Sequence, residues 1–73
     1  MEQTEMNYSF LRGKIVEKCS TQANFAQKLG ISLQELNKKL NNKGYFSQNQ
    51  MYDAVEILDL NDEEFKKCFF LRK

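Results

Sequence analysis

Between Leu29 and Ser32 only two residues, Gly30 and Ile31, separate two stretches whose apolar residues recur three and four positions apart. That spacing is the period of a helix, and a break this short cannot reverse the chain, so the two helices have to cross steeply. Glycine at the break supplies a positive φ without steric cost. Ala26, four residues earlier, is small enough to let the second helix approach, and Phe25, Leu29, Ile31 and Leu36 are placed to lock the angle.

The same spacing runs through most of the chain, which has no proline and three glycines. It predicts an all-α fold, a compact bundle of about five short helices with a helix-turn-helix at the second and third. The first segment, about Tyr8 to Cys19, sets Leu11, Ile15 and Cys19 on one stripe with Tyr8 and Val16 beside it. Gly13 inside it costs about 1 kcal/mol relative to alanine, so it marks either a close backbone approach or a plainly tolerated glycine. The second runs from a Thr21 cap to Leu29, with Ala23, Phe25, Ala26 and Leu29 as its apolar set. The third opens with a Ser32–Glu35 capping box, turns Leu33, Leu36 and Leu40 inward and stops in Asn41-Asn42-Lys43-Gly44. A second box, Ser47–Gln50, starts a helix with Met51, Ala54, Val55 and Leu58 inward and Ile57 beside them. Asn61 caps the last helix, whose first turn holds Asp62, Glu63 and Glu64 and whose buried face is Phe65, Cys68 and Phe69. Phe10 joins the core aromatics, while Phe70 and Leu71 are left as a dimer or partner contact.

Residues 8–50 carry seven basic side chains against two acidic, whereas residues 51–73 carry four against six and the first seven residues two acidic ones. An anion-facing half is joined to an acidic half, although the net charge is only +1. The two cysteines, Cys19 and Cys68, lie far apart in sequence and no histidine accompanies them, so no metal site is expected and the thiols read as reduced, part-buried apolar groups. No nucleophile motif or phosphate loop is present, so neither catalysis nor a cofactor or small-molecule substrate is expected. No apolar run approaches the ~18 residues that span a bilayer, and the acidic start Met1–Glu5 is unlike a signal peptide; the expectation is a cytoplasmic protein without membrane contact.

On the third helix Gln34, Asn37, Lys38 and Asn41 stand at i, i+3, i+4 and i+7, one polar stripe beside the leucine face. Glutamine and asparagine make bidentate contacts to adenine, and lysine donates to guanine O6 and N7. The segment Gln22-Ala23-Asn24-Phe25-Ala26-Gln27-Lys28-Leu29-Gly30-Ile31-Ser32 resembles the Cro/repressor-type helix-turn-helix of phage and bacterial regulators. The likeness extends more loosely from Tyr8–Ile15 to Asn42-Lys43 and the helix after Ser47, and is nearest to small repressor-like proteins of phages and prophages of Gram-positive bacteria. It implies a lambda-repressor-like fold and a sequence-specific regulator of transcription that binds double-stranded DNA, residues 1–73 forming one such domain with 1–7 as a flexible N-terminal arm.

The resemblance and the stripe together place Ser32, Leu33, Gln34, Asn37, Lys38 and Asn41 against base edges in the major groove. Gln22 matches the family's phosphate contact, Thr21 offers amides at a helix start, and Asn42, Lys43, Tyr45 and Ser47 are similar to its second backbone clamp. Lys14, Lys18 and Lys28 would add long-range attraction. Leu33 has two places: periodicity turns it inward, whereas the resemblance puts it at the exposed start of the recognition helix. Lys39 is a departure, since the family has an apolar residue there and this chain delays it to Leu40. A homodimer on a palindromic operator is compatible with this reading. The competing reading keeps the fold and makes the chain a modulator or antirepressor that binds another regulator protein.

Overall fold

The computed structural model describes residues 5–73. Five helices follow in order: α1 (Ser9–Cys19), α2 (Gln22–Leu29), α3 (Leu33–Leu40), α4 (Gln48–Leu58) and α5 (Asp62–Phe69). Among the described residues there is no strand, only one isolated antiparallel bridge between Met6 and Arg72. The fold is all-α as expected, with α2–α3 as the helix-turn-helix.

Each helix begins where a short polar side chain can accept from its first amides. Thr21 accepts from the Asn24 N–H at 3.1 Å, Ser32 from Glu35 at 3.0 Å, Ser47 from Gln50 at 3.1 Å and Asn61 from Glu64 at 2.8 Å. The Ser47–Gln50 box closes in both directions, and so does an Asn61–Glu64 box that was not expected. The expected Ser32–Glu35 box closes only one way, because the Glu35 carboxylate turns instead to Lys39 at 3.8 Å. For α1 the cap comes from one residue further back, where Asn7 Oδ1 accepts from the Ser9 N–H at 2.9 Å.

Three helices stop by the same device. After α2, Gly30 takes φ +83° and the Ile31 N–H reaches back to Ala26 O at 3.0 Å. After α3, Asn42 takes φ +63° and Lys43 donates to Lys38 O at 2.8 Å; after α4, Asp59 takes φ +52° and Leu60 donates to Val55 O at 3.0 Å. These are Schellman-type ends, with asparagine and aspartate in the left-handed position that glycine occupies at the turn of the motif.

The core gathers Leu11, Ile15, Phe25, Ala26, Leu29, Leu36, Leu40, Ala54, Leu58, Cys68 and Phe69. Ala26 is fully covered on α2, which packs on α3, and Phe25, Leu29 and Leu36 are buried with it, while Ile31 is half-buried. Two side chains expected to be apolar contacts face solvent instead, Ala23 and Val16. Phe10 and Phe65 are half-buried. Phe46, outside every helix, is buried: its ring meets Tyr8 edge-on at 5.6 Å and Phe69 edge-on at 5.3 Å, joining the start of α1 to the end of α5.

Both cysteines are free and buried, deeper than the part-buried placement expected. Burial pushes the Cys68 thiol up to about 11, so it stays protonated at neutral pH. One ion pair ties α5 to α1: Lys14 Nζ sits 2.7 Å from Glu64 Oε2, while Glu64 Oε1 accepts from the Asn61 N–H. The lysine first, and that N–H second, hold the Glu64 carboxyl below its ordinary range.

The segment Glu5–Asn7 is pinned. Residues 1–4 of the expected arm lie outside the described residues, but the next three are held by backbone pairing: Asn7 N–H donates to Leu71 O at 2.6 Å and Lys73 N–H to Glu5 O at 3.2 Å. Asn42 completes the clasp, its Oδ1 accepting from Met6 N–H at 2.8 Å and its Nδ2 donating to Met6 O at 3.0 Å. The flexible arm expected over residues 1–7 is therefore corrected for Glu5–Asn7.

Gly13 is not a close approach. A Cβ built there meets nothing within 4 Å, and its φ is not positive. Gly13→Ala should therefore stabilise the fold by about 0.5–1 kcal/mol, read as a higher urea midpoint at unchanged slope. An unchanged or lower midpoint would show that α1 needs glycine there.

Candidate helix-turn-helix interface

The rotation of α3 follows from what its neighbours bury. Leu36 and Leu40 are covered, whereas Leu33 is 43% exposed. Leu33 is the first residue of the helix, and side chains lean toward a helix's N-terminus, so it projects past the helix end instead of into the core. The inward placement drawn from periodicity is thus corrected: Leu33 is exposed at the start of α3. Lys39 belongs to neither face. Its side chain is mostly covered, with Nζ donating to Tyr45 O at 2.7 Å and lying 6.0 Å from the centre of the Phe46 ring. The aliphatic stem thereby fills the place of an apolar residue while the ammonium reaches the loop.

Ser32, Leu33, Gln34, Asn37 and Lys38 are brought to one exposed surface. Asn41 is also exposed, but its Oδ1 accepts from Arg12 Nη2 at 3.2 Å; the same guanidinium donates to Leu40 O at 3.1 Å and so closes the end of α3. Arg12 was missed as a positioning residue because its partners lie on another helix.

The proposed phosphate contacts divide in the same way. Lys43 and Tyr45 are exposed and Gln22 is half-buried. The hydroxyls of Thr21 and Ser47 accept as caps and keep their O–H groups to donate to a phosphate oxygen. Asn42 is corrected: both ends of its amide are held by Met6, so it is a structural clasp. Among the attracting lysines, Lys14 is held by Glu64 and Glu17, and Lys18 lies 3.7 Å from Glu17. Near the motif Lys28, Lys38 and Lys43 remain exposed with no carboxylate partner among the described residues. Three lysines that neutralised one phosphate each would give a salt slope of only about −2.7 on duplex DNA.

No group of His, Cys, Asp or Glu that could hold a metal ion occurs among the described residues, and no helix is long and apolar enough to cross a membrane.

Among solved structures, the chain is similar to the solution structure of the modulator of repression (MOR) of the temperate bacteriophage TP901-1 from Lactococcus lactis. The two are 42% identical, the match covers 90% of this chain and 89% of that one, and the TM-score is 0.76. No match is found among curated proteins. Residues 5–72 match the family described as "Protein of unknown function (DUF739)", nearly the whole chain, and the protein belongs to that family.

Proposed function

We propose that this protein modulates repression in a temperate-phage or prophage switch by binding a DNA-binding regulator protein through the exposed face of α2–α3. The observation that carries this is the 42% identity, along nearly the full chain, to a protein whose title names it a modulator of repression. The surface agrees with a protein target. Leu33 stands exposed at the start of α3, and Lys28, Lys38 and Lys43, the motif's cations with no carboxylate partner among the described residues, are too few for strong hold on a phosphate backbone. In this reading the chain is one cytoplasmic domain without catalytic activity.

The second reading is direct binding of the Cro/repressor type, with α3 in the major groove. It is favoured by the exposed Gln34, Asn37 and Lys38, which sit at the spacing a base-reading helix uses.

A mobility-shift experiment separates the two. Duplex DNA from the promoter region beside the protein's own gene is titrated with this chain, with and without the repressor encoded there. The expected result is no shift by this chain alone and an altered shift by the repressor when both are present. Leu33→Glu should remove that effect by tenfold or more without unfolding, since an acidic residue suits the first turn of a helix. A discrete shift by the chain alone would move the conclusion to the groove-binding reading. Gln34→Ala or Asn37→Ala should then cost about 1–3 kcal/mol, and Lys43→Ala should lower the salt slope by about 1. Neither a shift nor an effect on the repressor would sink both.

A further inference from the structure

The end of α5 carries a second surface with a different chemistry. Phe65, Phe70 and Leu71 form an open apolar groove whose remaining lining is Lys66 and Lys67. Phe70 is 56% exposed and Leu71 43%.

Large exposed side chains near a chain end are ordinarily loose, but these are braced. The Phe70 N–H donates to Lys66 O at 2.9 Å, and its ring meets Phe65 edge-on at 5.5 Å. The next carbonyl, on Leu71, accepts from Asn7, and Arg72 bridges to Met6. The groove is therefore presented ready-made, which lowers the ordering cost of binding.

Its rim is cationic, with no carboxylate paired to it among the described residues. Asp62 and Glu63 stand four residues before Lys66 and Lys67, the spacing and order that favour ion pairs along a helix. Neither pair forms, and Lys67 Nζ instead lies 5.6 Å from the centre of the Phe10 ring. An apolar floor between lysines that have no carboxylate partner among the described residues is complementary to one kind of occupant.

We propose that this groove docks an acidic amphipathic segment of a partner protein, one or two large apolar side chains entering between Phe65, Phe70 and Leu71 while flanking carboxylates meet Lys66 and Lys67. Protein is favoured over an anionic bilayer because the groove's lining holds two lysines, fewer than the about 4–8 basic residues that a lipid-binding cluster gathers. The site is separate from the α2–α3 face and does not depend on the function proposed for it.

The test is an NMR titration of the isotope-labelled full chain with a synthetic amphipathic peptide bearing leucines at helical spacing between glutamates. Its controls are the same peptide with lysines for glutamates, and phosphatidylglycerol vesicles. The acidic peptide should shift the amides of Phe65, Lys66, Phe70 and Leu71. Phe70→Ala should weaken it tenfold or more, Lys66→Gln with Lys67→Gln at least fivefold, and Leu33→Glu not at all. Equal affinity for the lysine peptide, vesicles binding these residues in place of the peptide, or the same shifts on simply concentrating the protein would each overturn the proposal.

Discussion

Phe46→Ala should leave the protein largely unfolded at 25 °C. A core of this size yields a net stability of roughly 3–5 kcal/mol, and truncating a buried phenylalanine removes about 3–5 kcal/mol. The loss is at the upper end here because the ring is the middle member of the Tyr8–Phe46–Phe69 series, so its removal takes two edge-to-face contacts at once. It also takes the surface over which Lys39 is laid. Circular dichroism and urea titration read the effect directly. Phe46→Leu, which keeps most of the volume, should stay folded with a loss of about 1–2 kcal/mol. Equal stability of the alanine variant and the parent would mean that the segment between α3 and α4 is not part of the core.

Asn42→Ala should cost about 3–4 kcal/mol, large for a polar residue in a turn. Two separate terms add. The side chain makes two hydrogen bonds to the Met6 backbone, each worth about 1 kcal/mol net, and a left-handed φ costs an alanine about 1–2 kcal/mol. Asn42→Gly separates them, because it keeps the backbone angle and loses only the bonds; its loss should be about 2 kcal/mol. The order of urea midpoints should then be Asn42, glycine, alanine. If glycine and alanine behave alike, the φ carries no energy; if glycine matches asparagine, the clasp to Met6 carries none.

The residues behind these two predictions were also the hardest to read in advance. Helices, caps and the steep α2–α3 crossing were legible because each depends on neighbours within four positions: Ser47 and Gln50, Asn61 and its amides, Ala26 and Gly30. Phe46 sits between helices, where no period marks an inward face, and its ring partners come from α1 and α5. Asn42 looked like a phosphate clamp because its side chain is polar and its loop resembles one, while its true partner lies 36 residues away. Leu33 shows the limit of periodicity at a helix end, where a side chain overhangs the first turn and the stripe no longer decides burial. At Lys39 the interruption of the leucine pattern was visible, but not that its ammonium would reach Tyr45 O and the Phe46 ring. Of the proposed reading surface, Gln34, Asn37 and Lys38 share an exposed face because helical spacing alone puts them there, whereas Asn41's tie to Arg12 needed the third dimension.

The pinned Glu5–Asn7 segment also bears on the order in which the protein assembles. The helix-turn-helix and the capping boxes are local and close early, whereas the backbone pairing of Asn7 with Leu71 and of Met6 with Arg72 must wait until both ends of the chain have arrived. That long closure is the step most exposed to reversal, so the Asn7 amide reports on it: its hydrogen should exchange through a partial opening that leaves the amides of α2 and α3 protected. The clasp would then act as a latch between the two chain ends, able to open while the helix-turn-helix stays folded.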